Sequence, residues 1–310
     1  MNVATLTRQN PTVTPAVTPA VPHPADAPPL SKRVRASPRW LLQRLALGLT
    51  LLFLVLPVAF LLATSFKSRD EVLSGYFFPL APTWLNWRTL LSVAPLHLNL
   101  LNSLLVALLA LFITLAIAVP AVYAVVKLRH GQRLAGWLLS SYLSPPVVAL
   151  LPLFFVWRQA GLTNSTFGLA LVDGLSNVPV AFWLLRGFFK QVPLALDEAA
   201  WLEGVGPWKT LWRVNLPLIW PGLTATAIIC LILSYNEFLF ASVLNSRPDL
   251  RTITVAISLF EGERVVNFGQ MAAASLLGIA PVYALALWFQ KHLIGGLGAA
   301  ATLEHTRRQP

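Results

Sequence analysis

The stretch PLALDEAAWLEGVGPWKTLWRVNLP, residues 193–217, interrupts an otherwise apolar chain with charge, tryptophan and helix punctuation. Pro193 suits a first helical position, and Asp197 and Glu198 sit early in the helix it would open. Gly204 supplies the left-handed stop that a short helix commonly needs. Gly206-Pro207 can open a second helix, in which Trp208, Leu211 and Trp212 recur at i, i+3 and i+4 as one apolar stripe. Pro217 and Pro221 follow. The segment reads as a helix–turn–helix longer than a bundle connection requires. Such a stripe can dock in a groove on a partner or rest on lipid headgroups, and amphipathicity alone leaves both readings open.

What flanks it is membrane. Charge-free windows of the length that crosses a bilayer, about 20 residues, fall at roughly 41–64, 99–126, 135–157, 168–188, 219–243 and 270–291. The fourth contains Asp173, and Pro179 would kink it. Six spans place both termini on one side. That side carries 16 of the 23 basic residues, among them Lys127, Arg129, Arg133, Arg186 and Lys190. The bias predicts cytoplasmic termini. The first window is too long for the h-region of a signal peptide and reads as an uncleaved span.

Composition agrees. Of 310 residues 56% are hydrophobic and 11% charged, against roughly 25% charged in soluble proteins. The expected fold class is therefore all-α and polytopic, with six transmembrane helices. The net charge of +11 is mainly a topogenic signal between apolar runs, with no basic face for nucleic acid. Residues 1–38 hold eight of the 24 prolines and a Thr-Pro-Ala-Val near-repeat, a stretch expected to stay disordered. Cys230 is the single cysteine and the five histidines form no i, i+4 pair, so no disulfide, Cys-cluster or zinc motif is legible. No Gly-Lys pair occurs, so a Walker A loop is absent and any ATP must be bound by another polypeptide.

Glu237 lies eighteen residues into the fifth window, roughly 27 Å along a helix, near the interface opposite the 193–217 loop. An intramembrane acid is a candidate for function, although at that depth it can reach water, as can Asp173. Asn236 and Asn102 are further candidates for a solute pathway. The segment 245–267, with Arg247, Asp249, Arg251, Glu261, Glu263 and Arg264, reads as a loop on that opposite side. In the sixth window Ala274-x-x-x-Gly278 permits close helix packing.

Glu198-Ala199-Ala200, three residues, Gly204, an eleven-residue gap and Leu216-Pro217 together resemble the EAA loop of permease subunits of binding-protein-dependent ABC importers. The resemblance covers roughly residues 95–300. Asn102-Ser103-Leu104, Tyr123 with Arg129, Gly161-Leu162-Thr163-Asn164-Ser165, Trp183 to Phe189, Tyr235 to Leu239 and Gly296 to Ala300 are similar to the maltose-type carbohydrate permeases. Departures are Glu203-Gly204-Val205, where that family usually has Asp-Gly-Ala, and Tyr235, where it usually has Trp.

The resemblance implies a type I ABC importer fold and a bacterial inner-membrane location. Residues 39–96 would form the first span and an outer loop, 97–295 the permease core, and 296–310 a cytoplasmic tail. The implied partners are an ABC ATPase dimer carrying ATP and Mg, a second related permease, an external solute-binding protein and the lipid bilayer. This chain would bind no cofactor. Glu198, Ala199, Ala200, Gly204, Trp208, Leu211, Leu216 and Pro217 would couple to the ATPase. Segment 245–267 would be a candidate contact for the binding protein. A secondary transporter or channel is the rival reading, but it needs no docking loop, and the expected mid-membrane charges and internal repeats are not evident. Dispersed single acids offer no catalytic constellation for a membrane enzyme.

Overall fold

The computed structural model describes residues 38–285 and 287, apart from 94, 143 and 262–266. The proline-rich segment, the C-terminal tail, Glu263 and Arg264 lie outside the described residues. Among the described residues the regular elements are helices, with no strand. In chain order they are α1 (Pro38–Ser65), α2 (Arg69–Val72), α3 (Leu85–Val93), α4 (Leu96–Val126), α5 (Gln132–Tyr142), α6 (Pro146–Gln159) and α7 (Thr166–Gln191). Next come α8 (Leu194–Leu202), α9 (Pro207–Thr210), a π-helical turn (Leu211–Asn215), α10 (Leu216–Leu218) and α11 (Trp220–Tyr235). The remainder is α12 (Leu239–Leu244), a 3-10 turn (Pro248–Leu250), α13 (Ile253–Ser258), a 3-10 turn (Leu259–Glu261) and α14 (Phe268–Leu285).

Four helices, α1, α4, α7 and α14, are long and apolar enough to cross a bilayer. The two other expected spans, 135–157 and 219–243, are not single straight helices. Helices α5 and α6 bend by 101°, and Pro207–Leu218 bends by 85° against α11. Ser144-Pro145-Pro146 forces the first break, because a residue preceding proline is pushed out of the helical region. Pro217 and Pro221 flank the second, at Ile219. The window 219–243 does not run as one helix either. It stops at Tyr235 and restarts at Leu239. Pro179 does not end its helix, and α7 continues for 26 residues through it.

Among the described residues, 38–53 and those from Leu54 onward fall into two units. In the first, α1 exposes its leucines, and the Arg44 guanidinium lies 3.7 Å from the Trp40 ring centre. In the second, α4 and α7 are the central pair. One apolar cluster joins Val122, Tyr123, Phe182, Leu185 and Phe189 to Leu211 and Ile219 of the 193–219 loop. Another gathers Leu96, Ala107, Tyr235, Ile253, Ala273 and Ala274 toward the other end of α4. The close packing expected at Gly278 is present. Its carbonyl accepts from the Tyr235 hydroxyl at 2.8 Å, and an added Cβ would meet Ile257 and Ile253 at 3.2 and 3.3 Å.

Candidate functional site

Helix α8 begins one residue later than its proline implied: Pro193 is the N-cap. Its end matches expectation. Gly204 has φ +81, its N–H donates to the Trp201 carbonyl at 3.0 Å, and the Val205 N–H donates to the Ala200 carbonyl at 2.9 Å. These two bonds are the Schellman closure, which needs a left-handed residue at that point. Among the described residues nothing beyond its chain neighbours comes within 4 Å of a Cβ built on Gly204.

The expected stripe of Trp208, Leu211 and Trp212 is split, which corrects the sequence reading. The two tryptophans are 59% and 55% exposed and meet edge to face at 6.0 Å, whereas Leu211 is fully buried. Leu211 opens the π turn, in which the Leu216 N–H reaches back to the Leu211 carbonyl. The Leu211 side chain packs into the apolar cluster of α4 and α7. Leu216 is also buried and Pro217 exposed. On α8, Glu198 and Ala199 face outward, while Asp197 and Ala200 face inward.

Asp197 is the centre of a buried clamp that sequence reading missed. Its carboxylate is 3.0 Å from the Lys127 ammonium at the end of α4 and accepts from the Asn215 amide at 2.6 Å. Lys127 also donates to the Val192 carbonyl at 2.6 Å. Asp197 and Asn215 are fully buried and Lys127 is 5% exposed. The charge pair and the Asn215 bond together hold α8 and the π turn to the base of α4. Lys127 had looked topogenic and Asp197 dipole-directed. The available signal was Asp197 and Ala200 at i, i+3 on one face, with Gly204 closing the turn.

At the other end of α4, neutral amides do the tying. Asn99 donates to the carbonyls of Pro248 and Arg251 at 3.3 and 3.0 Å, and Asn102 to those of Asp249 and Arg251 at 2.8 and 3.2 Å. The Ser103 hydroxyl accepts from the Ile253 N–H at 2.8 Å. The described part of the segment, 245–261, is accordingly no free loop: α13 buries Ile253, Val255 and Ala256. Asn164, at φ 51, accepts from the Arg247 N–H at 3.0 Å and the Ser246 hydroxyl at 3.2 Å. Gly168 lies so near the Leu162 carbonyl that an added Cβ would stand 2.1 Å from its oxygen, so only glycine fits this entry to α7.

Glu237 is a cap. Its two carboxylate oxygens accept from the N–H groups of Phe240 and Ala241, each at 2.9 Å, and so restart the chain as α12. Asn102 likewise spends its amide on backbone. Asp173 does not reach water as expected: it is 2% exposed and neither of its carboxylate oxygens has a hydrogen-bond partner. Of the three pathway candidates, Asn236 lines a cavity, and its amide also donates to the Ile232 carbonyl at 2.9 Å. That cavity, of about 420 Å³, is walled by Tyr235, Asn236, Thr254, Ser275, Tyr283 and aliphatic side chains. Among the described residues no group of His, Cys, Asp and Glu is arranged to hold a metal ion.

Bilayer-length helices, a polar loop clamped beneath two of them and a cavity of hydroxyls, an amide and aromatic rings define an all-α polytopic membrane permease. The chain belongs to the family described as binding-protein-dependent transport system inner membrane component, whose profile matches residues 33–297. It is 35% identical over 279 residues to the sulfoquinovosyl glycerol transport system permease protein SmoH of Agrobacterium fabrum, covering 89% of this chain and 97% of that one. It is 32% identical over 250 residues to the trehalose/maltose transport system permease protein MalG of Thermococcus litoralis, covering 79% and 90%. Its fold is similar to a chain of a bacterial ABC transporter involved in the import of the acidic polysaccharide alginate, with TM-score 0.68, 22% identity and coverage of 81% and 95%. Proteins of this family are transport permeases, and the chain is a transport subunit, not an enzyme.

Proposed function

We propose that the chain is the permease subunit of an ATP-driven, binding-protein-dependent ABC importer for a sugar or sugar-like solute. Family membership across residues 33–297 carries this reading. The solute class rests on relatives whose names specify sulfoquinovosyl glycerol and trehalose/maltose. In this reading the six apolar windows are six crossings: α5 with α6 counts as one, and α11 with α12 makes the fifth, while 207–218 stays with the loop. The termini and the 193–217 loop lie in the cytoplasm of a bacterial inner membrane. A second permease completes the pathway, a partner ATPase dimer binds ATP and Mg, and an external binding protein delivers solute.

The loop couples to the ATPase. Glu198 and Ala199 with the exposed Trp208 and Trp212 present the contact, and Pro217 is exposed beside them. Ala200, Leu211 and Leu216 are buried and seat that surface on the chain's own core. Gly204 turns the chain between the two helices. Open space around it leaves room for a closely approaching partner surface. Because Lys127 ties the loop to α4, displacement of the loop displaces a membrane helix. Asn236, in the cavity wall, is the residue we assign to the solute pathway.

Reconstitution tests this. Proteoliposomes holding the chain with its second permease, ATPase and binding protein should take up labelled oligosaccharide only with internal ATP. Uptake by the purified chain alone would give the protein to secondary transport. For the loop, Trp208→Ala/Trp212→Ala should abolish co-purification of the ATPase subunit. A Gly204→Arg chain that inserts normally and still stimulates ATP hydrolysis on binding-protein docking would remove the coupling role.

A further inference from the structure

A second cavity, of about 390 Å³, lies where α4 and α7 end and α5 begins. It is lined by Val125, Val126, Arg129, Gln132, Arg186 and Lys190. Three cations share this space without a carboxylate in its lining. Among the described residues the ion pairs are Lys127–Asp197 and Arg247–Asp249. The nearby buried acid, Asp197, is therefore taken by Lys127, and the cavity cations are left unmatched. The Arg186 Nε–H is buried with no acceptor, a state that buried donors rarely tolerate.

The walls are held in place independently. The Gln132 amide donates to the Val125 carbonyl at 2.9 Å and pins the start of α5 to the end of α4. Arg129 adopts φ 55, a left-handed conformation uncommon for a residue with a side chain. The following His130 N–H is bonded to the Ala124 carbonyl at 2.9 Å. Backbone strain of this kind collects at ligand sites. On the same helices Trp183 is 59% and Trp137 68% exposed. Trp183 lies one turn before Arg186 on α7, and Trp137 a turn and a half beyond Gln132 on α5. Exposed tryptophans beside cations at the ends of membrane helices mark headgroup level.

We propose that this cavity binds the phosphate of an anionic phospholipid. Guanidinium groups suit phosphate oxygens, and basic pockets between membrane helices take acidic headgroups. Val125 and Val126 give the glycerol end an apolar wall, and Trp183 and Trp137 border the acyl chains. Lys190 is two residues before Val192, whose carbonyl is bonded to Lys127. Bound lipid therefore braces the base of the loop clamp. The site is separate from the proposed solute cavity, and the lipid assignment holds or fails without reference to which solute is carried.

Purified full-length chain in neutral detergent is titrated with phosphatidylglycerol, phosphatidylcholine or inorganic phosphate, and melting temperature and lipid retained in native mass spectrometry are read. Phosphatidylglycerol should raise the melting temperature and stay bound, and phosphatidylcholine should do neither. At about 1 kcal/mol per basic residue, Arg186→Gln should weaken retention about fivefold and Arg186→Gln/Lys190→Gln roughly thirtyfold. Arg247→Gln/Arg251→Gln at the other end of the bundle should leave it unchanged. Equal effects of the two lipids would overturn the proposal, as would stabilisation by free phosphate equal to that by phosphatidylglycerol. Undiminished retention in the Arg186 variants would also overturn it. Lipid that binds the chain but is expelled when the ATPase subunit joins would assign the cavity to a partner carboxylate instead. Competition on the wild-type chain, with fluorescent phosphatidylglycerol displaced by its unlabelled form and not by phosphatidylcholine, decides the matter even if the double variant fails to fold.

Discussion

The two ends of α4 solve the same problem with different chemistry. At its start, Asn99, Asn102 and Ser103 bind backbone groups of 248–253 through neutral hydrogen bonds. At its end, some 42 Å away at 1.5 Å per residue, Lys127 holds the 193–217 loop through a buried charge. Several amide bonds to several carbonyls make a distributed attachment, in which losing one bond leaves others. A single ion pair concentrates the attachment at one joint, and its two helices move with it. The concentrated joint belongs to the segment with exposed tryptophans, and the distributed one to the segment whose helix α13 is buried.

The contrast breaks most readily at Asp197. Asp197→Leu strands a buried ammonium and should destabilise the chain by about 3–5 kcal/mol, read as a fall in detergent melting temperature. Lys127→Met combined with Asp197→Leu should recover most of it, and a double variant no better than the single would show that no clamp exists. Asn99→Ala should cost less, about 1–3 kcal/mol for the carbonyls it deprives, with Asn102 still holding Arg251; limited proteolysis near 248–251 would report the loosening. Gly204→Ala follows at about 1–2 kcal/mol, since its φ of +81 is costly for alanine while space is free. Gly204→Asn should lose less in the same thermal assay.

The smallest effect belongs to Arg247 and Asp249, which form an exposed pair at 2.7 Å. Hydrogen bonding from Arg247 holds the Asp249 carboxyl below the usual carboxylate range. A depressed carboxylate contributes stability above its ordinary pKa and loses it as pH falls through the depressed value. The contribution should thus be present at neutral pH and vanish in strong acid. Solvent and salt screen such pairs, so Arg247→Gln should shift melting at pH 7 immeasurably.

Local rules carried far into this protein. The Gly204 stop, the Pro207 start and the α1, α4 and α7 spans follow from residue type and spacing, because each is decided within a few residues. Leu211 was misread since helical spacing alone does not tell which edge of an apolar stripe the core of α4 and α7 takes. Glu237 was read by depth along a continuous helix, whereas its carboxylate makes the break by capping α12. The Lys127–Asp197 pair spans 70 positions, and nothing local distinguishes that lysine from the other basic residues that set topology.

By itself the sequence determined a membrane-embedded, all-helical chain with one punctuated polar loop, because hydropathy, charge asymmetry and helix punctuation are properties of short segments. Tertiary structure alone decided which polar residues are joints and which line cavities. Asp197 and Asn99 became joints, while Asn236 and the unmatched Arg186 face cavities. In a low-dielectric interior every buried polar group must find its partner, and which partner it finds depends on helices brought together from distant parts of the chain.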